Sequence, residues 1–208
     1  MYRLIQKTWH YLKCVIFQKK EIGINLKRHF FSFGNDSIIN RPYLQLSGIN
    51  KISIGKNTTI LDGCRLAVYG DGNDPAIIIG DGCYIGFSFS ALAVAHSPIV
   101  IGNNVLFASN VLVTSENHGI NPESDLPYMN QELTGKKTII GNGCWIGEKV
   151  CILPGVSIGE KTIIGSGAVV TKSIPSYAMA VGNPAKVIKH YNIETNKWEK
   201  YHDEIGER

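Results

Sequence analysis

The chain has 208 residues, of which 44% are hydrophobic and 18% charged, a balance that allows one ordinary globular domain with extensions. Its formal net charge of +4 is mild, and with no dense Lys/Arg block or RNA-binding aromatic motif it gives no support to nucleic-acid binding. No run of 18 apolar residues is present, so no spanning helix is expected, and nothing reads as an export signal; the expected location is cytoplasmic.

Residues 1–33 differ in pattern from the remainder of the chain. Ile5, Trp9, Leu12 and Ile16 recur at helical spacing, with Arg3, Lys7, Lys13, Lys19 and Lys20 around them. This predicts an N-terminal helical segment, placed in residues 1–46. It either packs on one end of the domain or rests, as a basic amphipathic element, on the inner face of a membrane near a lipid-linked substrate.

From Ile54-Gly55 a six-residue rhythm sets in. Ile60 and Leu66 follow in phase, then a corner loop, residues 69–76, and then Ile79, Ile85 and Ala91. After a slip at His96–Pro98, where His96 reads as structural, come Ile101, Phe107 and Val113. The clearest stretch gives Ile140, Ile146, Ile152, Ile158, Ile164 and Val170, with Gly141, Gly147, Gly159 and Gly165 each following an anchor. Four residues after each anchor stands a second inward candidate: Cys144, Val150, Val156, Thr162, Ala168, Ile174. Period six fits neither an amphipathic helix nor one long strand. It fits a solenoid of short strands, three hexads to a triangular coil, each strand pairing with its equivalent 18 residues later. The glycine after each anchor is expected to serve a tight turn, where positive φ costs it nothing.

Five cysteines contain no CxxC pair. Cys64, Cys83 and Cys144 fall on the second inward position and read as small buried hydrophobes rather than catalytic thiols.

The rhythm fails between Ser115 and Lys137, a polar stretch with two prolines and two glycines. A long interruption of a regular array is a candidate functional loop. After the array, residues 188–208 are expected to form a C-terminal helix, docked through Trp198, Tyr201 and Ile205.

CWIGEKVCILPGVSIG, IIGSGAVVTKSIP and VGNPAKVIK, in that order over 138–188, resemble the hexapeptide-repeat acyltransferases. The likeness covers roughly residues 47–190 and is to the sugar O-acetyltransferase branch, with maltose, galactoside, Nod-factor, O-antigen and capsule enzymes. The resemblance implies a left-handed parallel β-helix over 47–187, a hand that is an exception to the usual crossover rule. It also implies a homotrimer with sites between subunits, acetyl-CoA as donor, and no metal.

On that resemblance His118, in Glu116-Asn117-His118-Gly119, takes the place of the catalytic histidine and would act as general base toward a sugar hydroxyl. Many relatives read Asp-His-x-His-Gly here, so Glu116 replaces a histidine. It either orients His118, as a triad acid does, or is an exposed corner carboxylate. Trp145, Ser166, Thr171, Lys186 and Lys189 align with coenzyme A contacts, Trp145 equally with trimer packing. Lysine where relatives hold arginine implies less bidentate phosphate contacts. Ser90 falls near a family asparagine. Asn117, Asp125, Tyr128, Asn130 and Gln131 are polar candidates for the acceptor.

The expected function is acetyl transfer to a sugar hydroxyl, in a surface polysaccharide or its precursor. N-acetylation of an amino-sugar nucleotide, or acetylation of a xenobiotic hydroxyl, is the enzymatic alternative. A catalytically silent scaffold is the non-enzymatic one. A zinc carbonic anhydrase of the same fold would need three converging histidines, which the array does not offer.

Overall fold

The computed structural model describes residues 22–201. It is a left-handed parallel β-helix, triangular in section, with one sheet on each side. The first sheet stacks Ser32–Phe33, Ile52–Ile54, Ile77–Ile79, Ile99–Ile101, Thr138–Ile140 and Ser157–Ile158. The second stacks Ile38–Ile39, Thr59–Ile60, Tyr84–Ile85, Leu106–Phe107, Trp145–Ile146, Ile163–Ile164 and Ala178–Val181. The third stacks Gln45–Ser47, Arg65–Tyr69, Ser90–Val94, Leu112–Thr114, Cys151–Ile152 and Val169–Val170.

Pairing within these three stacks is parallel and in the expected register, Ile140 opposite Ile158, Ile146 opposite Ile164 and Ile152 opposite Val170. Every anchor from Ile54 to Val170 is buried, and so are Cys64, Cys83 and Cys144 on the second inward position. One apolar column therefore fills the triangle from end to end, each side chain resting on its equivalent in the next coil. Burial pushes the Cys64 thiol up to about 11, as expected of a group whose charged form has lost its water.

The glycines after the anchors have a different reason from the one expected. Gly141, Gly147, Gly159 and Gly165 do not have positive φ; a Cβ on Gly141 would meet Glu160 N at 2.5 Å, and one on Gly147 would meet Ser166 N at 2.6 Å. They let successive coils approach at the corners. The left-handed residue is two places further on, at Asn57, Asn104, Lys149 and Lys161 and at Gly143, Gly155 and Gly167. Beside the close approach, side chains run from coil to coil: Asp81 Oδ1 accepts from Lys56 N (2.7 Å), Asn103 Oδ1 from Asp81 N (2.8 Å) and Asn142 Oδ1 from Asn103 N (2.8 Å).

The ends also differ from expectation. The β-helix begins at Ser32, inside the segment assigned to the N-terminal extension, and is preceded by a single helical turn, Ile24–Lys27. Ile22 and Phe30 are already part of the core. The helix read from Ile5, Trp9, Leu12 and Ile16 lies outside the described residues. At the other end there is no C-terminal helix over 188–201. Lys186–Asn192 and Lys197–Lys200 form an antiparallel ribbon that extends the second sheet. Tyr191 pairs with Trp198, their rings edge-to-face at 5.4 Å. Asn192 Oδ1 caps the turn by accepting from Glu194 N and Thr195 N, and Asn196 takes the left-handed conformation at φ 53°. Asn-rich turn chemistry between two strand-forming runs outweighed the helical spacing of Trp198 and Tyr201.

Candidate active site

The loop that interrupts the array leaves the β-helix at the corner between the third and first sheets. Its root is held tightly. Ser115 is buried, with its Oγ donating to Ser97 O at 2.5 Å and its backbone N donating to Leu92 O. Thr138 Oγ1 donates to Thr114 O at 2.9 Å where the chain returns. Between these points Glu116–Asn117 pairs antiparallel with Thr134–Gly135, and a Cβ on Gly135 would collide with Val94 and Ser97. The small hairpin therefore sits directly on the end of the third sheet.

His118 follows this hairpin strand at once and is exposed. Among the described residues its ring has no hydrogen-bond partner, so its nitrogens are open to a ligand. Glu116 is half-buried, but its ties are through the backbone: Glu116 N donates to Thr114 Oγ1, and Thr114 Oγ1 to Glu116 O, both at 3.1 Å. No hydrogen bond joins the Glu116 carboxylate to the His118 ring. Beyond His118 the loop is organised by Gln131, whose Oε1 accepts from Asn121 N (3.0 Å) and whose Nε2 donates to Asn121 O (3.0 Å) and Leu126 O (3.1 Å). Gln131 is thus a loop clasp, whereas Asn117, Asp125, Tyr128 and Asn130 are exposed.

The remaining candidates divide by face. Ser90 projects outward on the third sheet, directly opposite Leu112. Thr171 is exposed and follows Val169–Val170 at the corner from which the loop departs, two coils further on. The segment before Lys186 docks beneath the third sheet: Val169 N donates to Gly182 O (3.0 Å), and Ala185 N to Val169 O (2.8 Å). His118, Ser90 and Thr171 therefore lie on the third sheet or at its end, whereas Lys186 and Lys189, both exposed, stand on the ribbon that extends the second sheet, which begins where Ala185 leaves the third. Ser166 lies at a different corner, where its Oγ accepts from Glu148 N. Trp145 is 51% exposed on the second sheet, aligned with Leu106 (42%) and Tyr84 (48%). In a single protomer Trp145 does not meet His118's side. Among the described residues no three His, Cys, Asp or Glu side chains are grouped to hold a metal ion.

A family model described as bacterial transferase hexapeptide (six repeats) matches residues 137–172, and one described as the hexapeptide repeat of succinyl-transferase matches residues 76–115. A putative lipopolysaccharide biosynthesis O-acetyl transferase, WbbJ, of Escherichia coli is 36% identical over 175 residues, covering 81% of this chain and 86% of the relative. The chain belongs to the hexapeptide-repeat acetyltransferases. A galactoside O-acetyltransferase of Lactococcus lactis is 31% identical over 160 residues, 76% of this chain and 73% of that one. Among solved structures, a mutant of AntD, an N-acyltransferase from Bacillus cereus in complex with dTDP and coenzyme A, superposes with a TM-score of 0.70. It is 22% identical and covers 86% of this chain and 94% of that one, a likeness of fold.

This hexapeptide-repeat acetyltransferase carries one feature on the side of His118 that sequence reasoning passed over. Arg65, Gln45 and Tyr69 are linked across two coils of the third sheet by hydrogen bonds. The available signal was an arginine in an outward position, one residue before the inward Leu66.

Proposed function

We propose that the protein transfers acetyl from acetyl-CoA to a sugar hydroxyl, in a surface polysaccharide or its precursor, with His118 as general base. The observation that carries this reading is the placement of His118: an exposed imidazole without a hydrogen-bond partner among the described residues, on a clasped loop where the array breaks. The likeness to WbbJ over most of both chains supports the acceptor class.

In the proposed reaction a neutral His118 nitrogen takes the proton of the acceptor hydroxyl as its oxygen attacks the thioester carbonyl. The tetrahedral intermediate collapses with loss of the coenzyme A thiolate, and the imidazolium returns the proton to sulfur. No acyl-enzyme forms. In this reading the extended donor runs from the loop past Thr171 and round the corner to the ribbon, where the ammonium groups of Lys186 and Lys189 supply point charges for phosphate. A homotrimer is part of the proposal. The exposed Tyr84–Leu106–Trp145 column is the surface that a neighbouring copy would cover, and it would bring Trp145 to the next protomer's His118 side.

Incubation with radiolabelled acetyl-CoA and a panel of glycans, neutral and charged sugars and amino-sugar nucleotides tests this. The expected result is label in an alkali-labile ester. His118→Ala should lower kcat by at least about 10²-fold with the fold intact by circular dichroism. Near-wild-type turnover by that variant would remove His118 as base, and label found only in amide linkage would replace O-transfer by N-transfer.

A further inference from the structure

The third sheet carries an unmatched cation on the same side as His118. Along Arg65–Tyr69, Leu66 and Val68 point into the core column, so Arg65, Ala67 and Tyr69 point outward. Arg65 Nε donates to Gln45 Oε1 at 2.9 Å, and a terminal guanidinium nitrogen reaches Tyr69 Oη at 3.4 Å. Gln45 is fixed in turn, its Nε2 donating to Ser47 Oγ at 3.0 Å. The guanidinium therefore lies along its own strand, from residue 65 toward residue 69. That explains why Ala67, an outward residue, has no exposed surface.

Three features make this more than a packing detail. First, Arg65 is half-buried and no carboxylate pairs with it among the described residues. Two of the five N–H donors of a guanidinium are used, both by neutral partners, and the charge itself is unanswered. Second, the guanidinium is pre-oriented, so little side-chain entropy remains to be lost when a planar or tetrahedral anion binds. Third, it is close to the loop of His118. Tyr69 pairs with Val94, the residue on which the loop's hairpin sits, and Ala67 is followed across the sheet by Leu92 and then Thr114 at the loop root. Two rungs of about 4.8 Å separate the strand of Arg65 from that of Thr114, a span of about 10 Å. The outward residues between them, Ala67 and Leu92, are apolar and at most 9% exposed, and Ser90 stands on the same strand as Leu92.

We infer that Arg65 is a specificity residue for an acceptor that carries an anionic group, carboxylate or phosphate, one sugar ring away from the hydroxyl that is acetylated. The inference rests on the reading of His118 as the acetyl-transfer base. It adds a class of substrate: a uronic-acid or phosphate-bearing sugar, held at one end by Arg65 and presented at the other to His118. The donor then occupies the C-terminal part of this side and the acceptor the N-terminal part, with the loop between them.

The test uses the full-length protein, its Arg65→Gln and Arg65→Lys variants, and three matched ligands: a methyl hexoside, the corresponding methyl uronoside and the corresponding sugar phosphate. Binding is measured by calorimetry and transfer by label from acetyl-CoA. At least one anionic ligand should bind about 10- to 100-fold more tightly than the neutral one, and Arg65→Gln should abolish that preference through KM, with a far larger loss for the anionic ligand than for the neutral sugar. Arg65→Lys should restore part of it, and the responsive ligand distinguishes carboxylate from phosphate. Equal binding of all three ligands by the wild-type protein would overturn the inference. So would an Arg65→Gln variant that loses all three alike, which is the behaviour of a structural clip. Anionic ligands that bind through Arg65 but are never acetylated would leave the acceptor site standing and remove the transfer reading instead.

Discussion

A left-handed residue three places after the inward anchors of the first and second sheets is a recurrent single-residue demand in this fold. At Lys149 and Lys161 it is met by side chains that disfavour the conformation, whose φ values are 59° and 55°. Lys149→Gly is therefore expected to leave stability unchanged or raise it by up to about 1 kcal/mol, glycine's lost strain offsetting its larger unfolded-state entropy. The corner glycine Gly147 behaves in the opposite way. Its Cβ would meet backbone of the next coil, so Gly147→Val should lower the thermal midpoint by several degrees, on the order of 2 kcal/mol or more. Thermal unfolding of the two variants side by side checks both signs. The thiols supply a pH prediction. Burial raises Cys64 to about 11 and pushes Cys83 and Cys144 in the same direction. A thiol harder to ionise in the folded than in the unfolded chain leaves stability intact below the unfolded value near 9 and removes it as pH rises from there through the folded value. Denaturation midpoints should hold up to pH 9 and fall between pH 9 and 11, and a triple variant with Cys64, Cys83 and Cys144 changed to Ala should show a smaller fall.

At the scale of elements, the loop and the terminal ribbon obey different rules from the coils. The loop spanning residues 115–137 has no repeat to hold it and depends on a few polar contacts, above all the three hydrogen bonds of Gln131. Gln131→Ala should therefore reduce kcat by about 10-fold while moving the melting temperature by little, because exposed hydrogen bonds contribute modest net stability. Steady-state kinetics beside calorimetry checks this; a parallel loss of both would mean that the loop is part of the folding core. That the array breaks here, and so offers a candidate site, was legible from the lost rhythm. That the Gln131 side chain is taken up by the loop's own backbone was not legible, because a glutamine's partners depend on how a non-repeating backbone closes. The terminal ribbon was misread for a related reason. Trp198 and Tyr201 have helical spacing, yet the open edge of Ala178–Val181 offered a ladder of backbone hydrogen bonds to the strand beginning at Lys186, which a short terminal helix could not match.

For the whole molecule, the exposed Tyr84–Leu106–Trp145 column is the surface that the proposed trimer would bury. Replacing Leu106 and Trp145 together by Asp should convert a trimer to monomers in light scattering and abolish transfer, since the site would lose its second wall. An unchanged mass would place the subunit contact elsewhere. Charge is also distributed at this scale. Residues 1–21 hold five Lys/Arg against one Glu, a net +4, while the other 187 residues hold 16 of each sign. An N-terminal segment that carries the whole net charge suits an anionic lipid surface. Flotation with anionic vesicles should retain the full-length protein and release one lacking residues 1–21; truncation must stop there, because Ile22 is buried and donates its N–H to Ile39 O at 2.8 Å. Equal behaviour of the two proteins would mean that the segment has another use.

The sequence by itself determined the prism. A period of six with branched anchors specifies three short faces per coil, the register between coils, the buried thiols and the point where the array breaks, because each is a local or nearest-neighbour property repeated many times. Tertiary structure alone decided the rest. It set the first coil at Ser32, where Ser32–Phe33 and Ile38–Ile39 pair with later coils and Gly34 alone marks the glycine rhythm. It showed that the corner glycines serve close stacking, a contact between residues of successive coils. It placed Trp145 on a different side from His118, and it set Arg65 two rungs from the loop with no acid among the described residues to answer its charge. These are relations between faces of a wound chain, and they arise only once the coils are stacked.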